Sequence, residues 1–153
     1  MTPFVGERDT ALMRRAIEIA ARSSAGDIPI GALVVRDGEV LATAANDRRA
    51  GTDPTAHAEI LALRAAGEAI GAPRLDGCEL VVTLEPCPMC AGAAVAARVD
   101  RIVFGAWNSR YGACGSLFDI PRDRRLHHRP EVVGGVLAEE AGALVSEFMR
   151  QRR

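Results

Sequence analysis

Apolar positions along the chain fall into helical stripes and short apolar runs broken by polar turns. Over residues 8–22, Leu12, Ala16, Ile19 and Ala20 fall on one stripe among arginines and glutamates, the spacing of an amphipathic helix. Asp27 and Pro29 end that pattern. Ile30 to Val35 is continuously apolar and stops at Asp37-Gly38, a hairpin turn pair, so Val40 to Ala45 is expected to return as the partner strand. The polar stretch Asn46 to Thr55, with Gly51 and Pro54, reads as a loop. Thr55 is the expected cap of a helix from Ala56 to about Ile70, closed by Gly71 and Pro73. Glu79 to Leu84 is a short strand, and Pro86 is expected to open an alanine-rich helix through Ala97. Arg101 to Gly105 is a further strand, Trp107 to Gly115 a loop, Pro130 to Val136 a last strand and Glu139 to Arg150 a last helix. Helices between the later strands predict an α/β protein: a mixed five-stranded sheet with helices on both faces. No repeat or linker divides the chain, so residues 1–153 are expected to form a single domain.

Composition adds little to this picture: 48% hydrophobic and 25% charged residues are ordinary for a globular protein. No apolar run approaches the roughly 20 residues that span a bilayer, and Met1 to Asp9 lacks an apolar signal core, so a cytoplasmic location is expected. The four cysteines, Cys78, Cys87, Cys90 and Cys114, then point to metal binding or burial rather than disulfides. A net charge of −1 is uninformative, but its distribution is not. The 122–129 segment holds four arginines and two histidines, and the chain ends Arg150-Gln151-Arg152-Arg153. Such positive patches either meet phosphate or form a solvated surface.

Two short segments carry candidate chemistry, Thr55-Ala56-His57-Ala58-Glu59 and Glu85-Pro86-Cys87-Pro88-Met89-Cys90, each at an expected helix start. Cysteines three apart in a first helical turn can aim both sulfurs at one point, where the helix N-terminus favours thiolate. His57 supplies a third ligand. Three protein ligands leave a tetrahedral zinc one open position, as in catalytic sites, and zinc lowers the pKa of bound water from about 15.7 to about 7. Glu59, two residues past His57, is placed to shuttle protons, an effect typically worth 10²–10⁴-fold. Other readings of the same residues are a Cys-x-x-Cys redox pair, a closed structural zinc site completed by Cys78, Cys114, His127 or His128, and a non-catalytic zinc-stabilised RNA-binding module. No thioredoxin-like context surrounds the cysteines, and a structural site has no use for Glu59.

His-x-Glu followed by Pro-Cys-x-x-Cys is the signature of zinc deaminases. With Asp53-Pro54-Thr55-Ala56-His57-Ala58-Glu59-Ile60, Val82-Thr83-Leu84-Glu85-Pro86-Cys87, Val103-Phe104-Gly105-Ala106 and Gly115-Ser116-Leu117, the chain resembles the bacterial tRNA-specific adenosine deaminases of the cytidine deaminase superfamily from about Met13 to Arg150. The resemblance implies a three-layer α/β/α sandwich of cytidine deaminase-like fold, a homodimer, one zinc per subunit, and hydrolytic conversion of adenosine to inosine at the wobble position of an arginine tRNA anticodon. It implies His57, Cys87 and Cys90 as zinc ligands and Glu59 as the shuttle. It also implies that Asn46 bonds the flipped nucleoside and that the backbone N–H of Ala58 faces the base. Phe148, Arg150 and Arg152 on the last helix are candidate contacts to the anticodon loop, Phe148 equally a core anchor. Asn108 stands where the tRNA enzymes usually carry an aspartate. Asparagine keeps a hydrogen-bond acceptor and removes a charge, which leaves open a free nucleobase or nucleoside of guanine, cytosine or adenosine type as substrate.

Overall fold

The computed structural model describes residues 5–48 and 51–152. The start of the Met1–Asp9 segment, Arg49 and Ala50 within the expected loop, and Arg153 of the basic tail lie outside the described residues. The elements run α1 (Glu7–Ala20), β1 (Gly31–Arg36), β2 (Glu39–Ala45), α2 (Ala58–Ile70), β3 (Cys78–Leu84), α3 (Pro88–Ala96), β4 (Arg101–Ala106), a single 3-10 turn (Ile120–Arg122), β5 (Glu131–Val133) and α4 (Ala138–Arg150).

The strands form one five-stranded sheet in the order β2-β1-β3-β4-β5. β1 is antiparallel to both β2 and β3, whereas β3, β4 and β5 run parallel. The β1–β2 hairpin closes through Asp37 and Gly38 at φ +51° and +77°, left-handed at both central turn positions, which matches the twist of the strands. The parallel step from β3 to β4 needs a crossover, and α3 provides it.

Period-two alternation sorts the core onto two faces. Leu33, Val35, Val81, Val103 and Val133 pack against Met13, Ala16 and Ile19 of α1. Their neighbours Ala32, Val34, Leu80, Val82, Ile102 and Phe104 pack against Ala58, Ala62, Leu63 and Ala66 of α2 and Ala91 and Ala94 of α3. α4 lies on β4 and β3 beside α1. The result is the expected three-layer mixed α/β/α sandwich. α1 sits so close to β1 that a Cβ on Gly31 would collide with the Ala16 carbonyl and the Ala20 amide. The N-terminal turn of α1 is tied to β4 by a nearly buried bidentate pair, Arg101 to Asp9 at 2.6 and 2.8 Å.

Most element boundaries fall within two residues of the sequence reading, and three departures have a physical cause or consequence. α2 begins at Ala58, two residues late, because the Thr55 hydroxyl and N–H are both donated to Asp53 Oδ1 (2.6 and 2.8 Å) and Thr55 caps no helix. α3 opens at Pro88 rather than Pro86; proline still occupies the first turn, and Cys87 becomes the cap residue. β5 is only three residues long, ending before the Gly134-Gly135 pair.

Candidate zinc and catalytic site

β3 ends at Leu84, and its chain continues through Glu85 and Pro86 into the N-terminus of α3. The N-terminus of α2 arrives at the same place. The cap residues of these two helices are His57 and Cys87, and neither makes a side-chain capping bond to its helix. Both side chains are therefore free to face each other. Cys90, at the third position of α3, is fully buried beside them. His57 Nδ1 lies 3.7 Å from Cys87 Sγ and 3.5 Å from Cys90 Sγ. A tetrahedral zinc with Zn–S near 2.3 Å and Zn–N near 2.05 Å sets an S···N edge of about 3.6 Å. Both separations match it, and all three ligand atoms lie within 4.8 Å of one another.

Electrostatics agree with a cation site. The Cys87 thiol is pulled down to about 4, first by the hydrogen bond from Cys90 and then by that of His57. Cys90 is pushed up by the same bond and by burial, and His57 is raised chiefly by its bond to Cys87. Glu59, 4% exposed, is raised above the usual carboxylate range by burial, with the Cys87 charge adding to it. Several groups that carry negative charge when deprotonated thus crowd one buried point, which a dication would relieve. Among the described residues no fourth histidine, cysteine or carboxylate joins the cluster. Cys78 sits buried at the start of β3, Cys114 is buried in the 107–118 loop, and His128 Nε2 is 2.6 Å from the Val99 carbonyl. The closed structural zinc reading therefore lacks its fourth ligand. The cluster fits one zinc ion per chain with an open position.

Glu59 Oε1 is a buried oxygen without a hydrogen-bond partner among the described residues. Such a group is costly unless a ligand or ordered solvent meets it. It faces a cleft of about 490 Å³, a size typical of small-ligand sites, which Asn46, His57, Cys87, Asn108 and Tyr111 also line. The cleft lies at the carboxyl end of β3, between its parallel neighbour and antiparallel β1, where open α/β sheets place ligands.

Asn46 is buried and already works for the fold. Its Nδ2 donates to the Ile28 carbonyl at 3.0 Å, and its Oδ1 accepts the Ala58 N–H at 2.7 Å. It thus supplies the cap that Thr55 was expected to supply, and the Ala58 N–H, expected to face a base, is given to Asn46. Asn108 Oδ1 accepts the N–H groups of Arg110 (3.2 Å) and Tyr111 (3.1 Å), an Asx turn that an aspartate would make equally well. α4 lies on the other face of the sheet, so Phe148 and Arg150 do not line the cleft. Phe148 is half-buried with the Arg152 guanidinium 4.2 Å from its ring centre, and Arg150 pairs with Glu147. In the 122–129 segment, Arg122 pairs with Asp119 and Arg125 with Asp123. Glu85, Met89 and Arg48 line the cleft and carry no site role in the sequence reading; Tyr111, atypical for the resembled family, lines it too. For Glu85 the signal was present: an acidic residue ending an apolar strand is buried and must be held by donors.

Residues 6–106 match the family model of the cytidine and deoxycytidylate deaminase zinc-binding region. The chain is 45% identical to the tRNA-specific adenosine deaminase of Bacillus subtilis over 95% of its own length and 91% of that protein's. It is also 45% identical to the tRNA-specific adenosine deaminase of Haemophilus influenzae, over 96% and 86% of the two lengths. A solved structure from a study of A-to-I editing by tRNA:A34 deaminases at the wobble position of transfer RNA superposes with a TM-score of 0.83 at 41% identity, covering 88% of this chain and 99% of that one. With the cluster geometry and these full-length matches together, the chain belongs to the tRNA-specific adenosine deaminase family, within the zinc-binding cytidine deaminase superfamily.

Proposed function

We propose that the chain deaminates adenosine to inosine by hydrolysis at the wobble position of a tRNA anticodon, with an arginine tRNA as substrate, breaking the C–N bond of a cyclic amidine. The observation that carries this reading is the buried Glu59 carboxyl, whose Oε1 has no partner among the described residues, beside a three-ligand cluster at a cleft. The two curated relatives at 45% identity, covered to 91% and 86% of their length, are tRNA enzymes, which favours the tRNA reading over the free-nucleobase alternative.

His57, Cys87 and Cys90 hold the zinc, which supplies an activated water when bound. Glu59 Oε1 moves two protons at the cleft: one from the attacking water to the purine ring nitrogen, where it stays in inosine, and the water's second proton to the departing amine as the new C–O bond replaces the C–N bond. Water and adenosine become inosine and ammonia, and Glu59 returns to its starting state. Its raised affinity for a proton suits a group that must both accept and return one. Asn46 retains one N–H and one lone pair beyond its two structural bonds, enough to hold a nucleoside in the cleft. Asn108 and Tyr111 bound the cleft for the nucleotides on either side. An unpaired anticodon nucleotide flips into such a site at a cost of a few kcal/mol. Phe148 and Arg150, behind the sheet, are reached only by a substrate as large as tRNA.

The chain acts as one deaminase domain, in the cytoplasm, as a homodimer. An open apolar groove between α2 and α3, lined by Ile60, Leu63, Ala93 and Ala97, supports the dimer, and light scattering at twice the chain mass tests it. No described helix is long and apolar enough to cross a membrane. The deciding experiment is incubation of the zinc-loaded protein with an arginine tRNA bearing an ACG anticodon, read by sequencing. Inosine at the wobble position is expected; an unchanged adenosine defeats the reading.

A further inference from the structure

Glu85 is 1% exposed, and among the described residues every hydrogen bond its carboxylate accepts comes from one segment. The Asn108 N–H reaches Oε1 at 3.0 Å, the Cys114 and Ser116 N–H groups each reach Oε2 at 3.0 Å, and the Ser116 hydroxyl donates to Oε1. Backbone bonds run beside them, from Glu85 N–H to the Ala106 carbonyl and from Ala113 N–H to the Pro86 carbonyl, both 2.8 Å. Gly112 presses so closely on this carboxylate that a Cβ there would strike both it and the Asn108 carbonyl. The segment carries Asn108 and Tyr111 into the cleft. Tyr111 is 66% exposed, so its own packing does not hold it in place. Glu85 also stands two residues before Cys87.

We infer that Glu85 is a positioning residue: its carboxylate fixes the 108–116 loop, and with it the substrate-facing Asn108 and Tyr111, relative to the zinc ligands. It touches neither metal nor substrate in this role. Ala113 and Cys114 seat the far half of the loop in the core, whereas Ser109, Arg110 and Tyr111 are exposed, so the carboxylate's bonds set the position of the cleft-facing half before RNA arrives. The inference rests on the tRNA reading for its kinetic consequence only.

Glu85→Gln keeps the shape but points an amide N–H₂ at N–H and O–H donors, so part of the set becomes donor against donor. Trp107, the single tryptophan of the chain, adjoins the loop and reports on it without substrate. In Glu85→Gln we expect a changed Trp107 emission and acrylamide quenching in the absence of RNA, with zinc still one per chain. For an anticodon stem-loop we expect KM raised on the order of tenfold and kcat within about threefold of wild type, the scale of one lost charge-assisted bond. Ser116→Ala, which removes one donor, moves the same readouts the same way and less. Unchanged quenching and KM in Glu85→Gln overturns the inference. So does loss of zinc, or a fall in kcat at constant KM, since either means that Glu85 serves the metal segment or general folding. Should Glu85→Gln fail to fold, Ser116→Ala decides, and its wild-type quenching and KM would overturn the inference. If wild-type protein deaminates no tRNA, the substrate reading fails while the Trp107 measurement still decides the loop's anchor.

Discussion

Glu59 carries the heaviest chemical burden for a single side chain. Its cost is visible as an unpartnered buried oxygen, and the cleft gives that cost a use. Glu59→Gln is isosteric, removes the proton acceptor and leaves the three ligands in place. Turnover is expected to fall by at least 10²–10⁴-fold, with zinc content by mass spectrometry unchanged at one per chain. Asp53 shows a second use of a carboxylate. Its pKa is lowered from 3.8 to about 2, first by the Thr55 hydroxyl, then by the Thr55 N–H and Arg64. A carboxylate depressed on folding contributes stability that is complete above its unfolded pKa near 3.8 and is lost as pH falls through the folded value near 2. Asp53→Asn is therefore expected to be less stable than wild type above pH 4 and to converge on it near pH 2, in urea melts taken across that range. Thr55 leads directly to His57, so the same bonds hold a zinc ligand's approach.

Among the elements, α2 and α3 matter for where they begin. Their N-termini meet at the cluster, and their partial positive charge lowers the cost of thiolates there. α1 does nothing at the site, yet it covers one face of the sheet and reaches across to β4 through Asp9 and Arg101. Breaking a lone buried ion pair costs about 3–5 kcal/mol. Arg101 keeps Glu131 at 3.3 Å and Glu79 at 3.9 Å, so Asp9→Ala is expected to cost less, about 2 kcal/mol in denaturant unfolding, with deaminase activity retained at low temperature. The element boundaries show where local reasoning stopped. Thr55 is a good cap by type, but its bonds to Asp53 outcompeted the helix, and the cap came instead from Asn46, 12 residues upstream. No local pattern foretells an acceptor supplied across a loop.

At the scale of the whole molecule, the apolar core lies on both faces of the sheet and the metal cluster at one end of it. The fold is therefore expected to survive chelation at reduced stability. Stripping the protein with a strong zinc chelator should keep its far-UV circular dichroism while Tm falls. Zinc at a thousandfold excess over Kd is worth about 4 kcal/mol, which for a chain of this size is roughly 10 °C. A Tm independent of free zinc would remove zinc from the site.

The sequence by itself determined the elements, the sheet's mixed character and the chemistry of the cluster. The reason is that each of these is written locally: short apolar runs such as Ile30 to Val35, the Asp37-Gly38 turn, and His57, Cys87 and Cys90 at helix starts. Glu59 was legible because its spacing from His57 leaves few other uses for it. Tertiary structure alone decided which polar groups are spent and which are free. Asn46 and the Ala58 N–H, both expected as substrate contacts, bond each other, which spends the Ala58 N–H and leaves Asn46 one N–H and one lone pair facing the cleft. Phe148 and Arg150 lie behind the sheet, because α4 packs beside α1, and a chain's order does not say which face a terminal helix covers. Glu85 stood in plain sight within the Glu85-Pro86-Cys87 run. Its partners lie 23 to 31 residues away, and only folding brings four donors around one carboxylate.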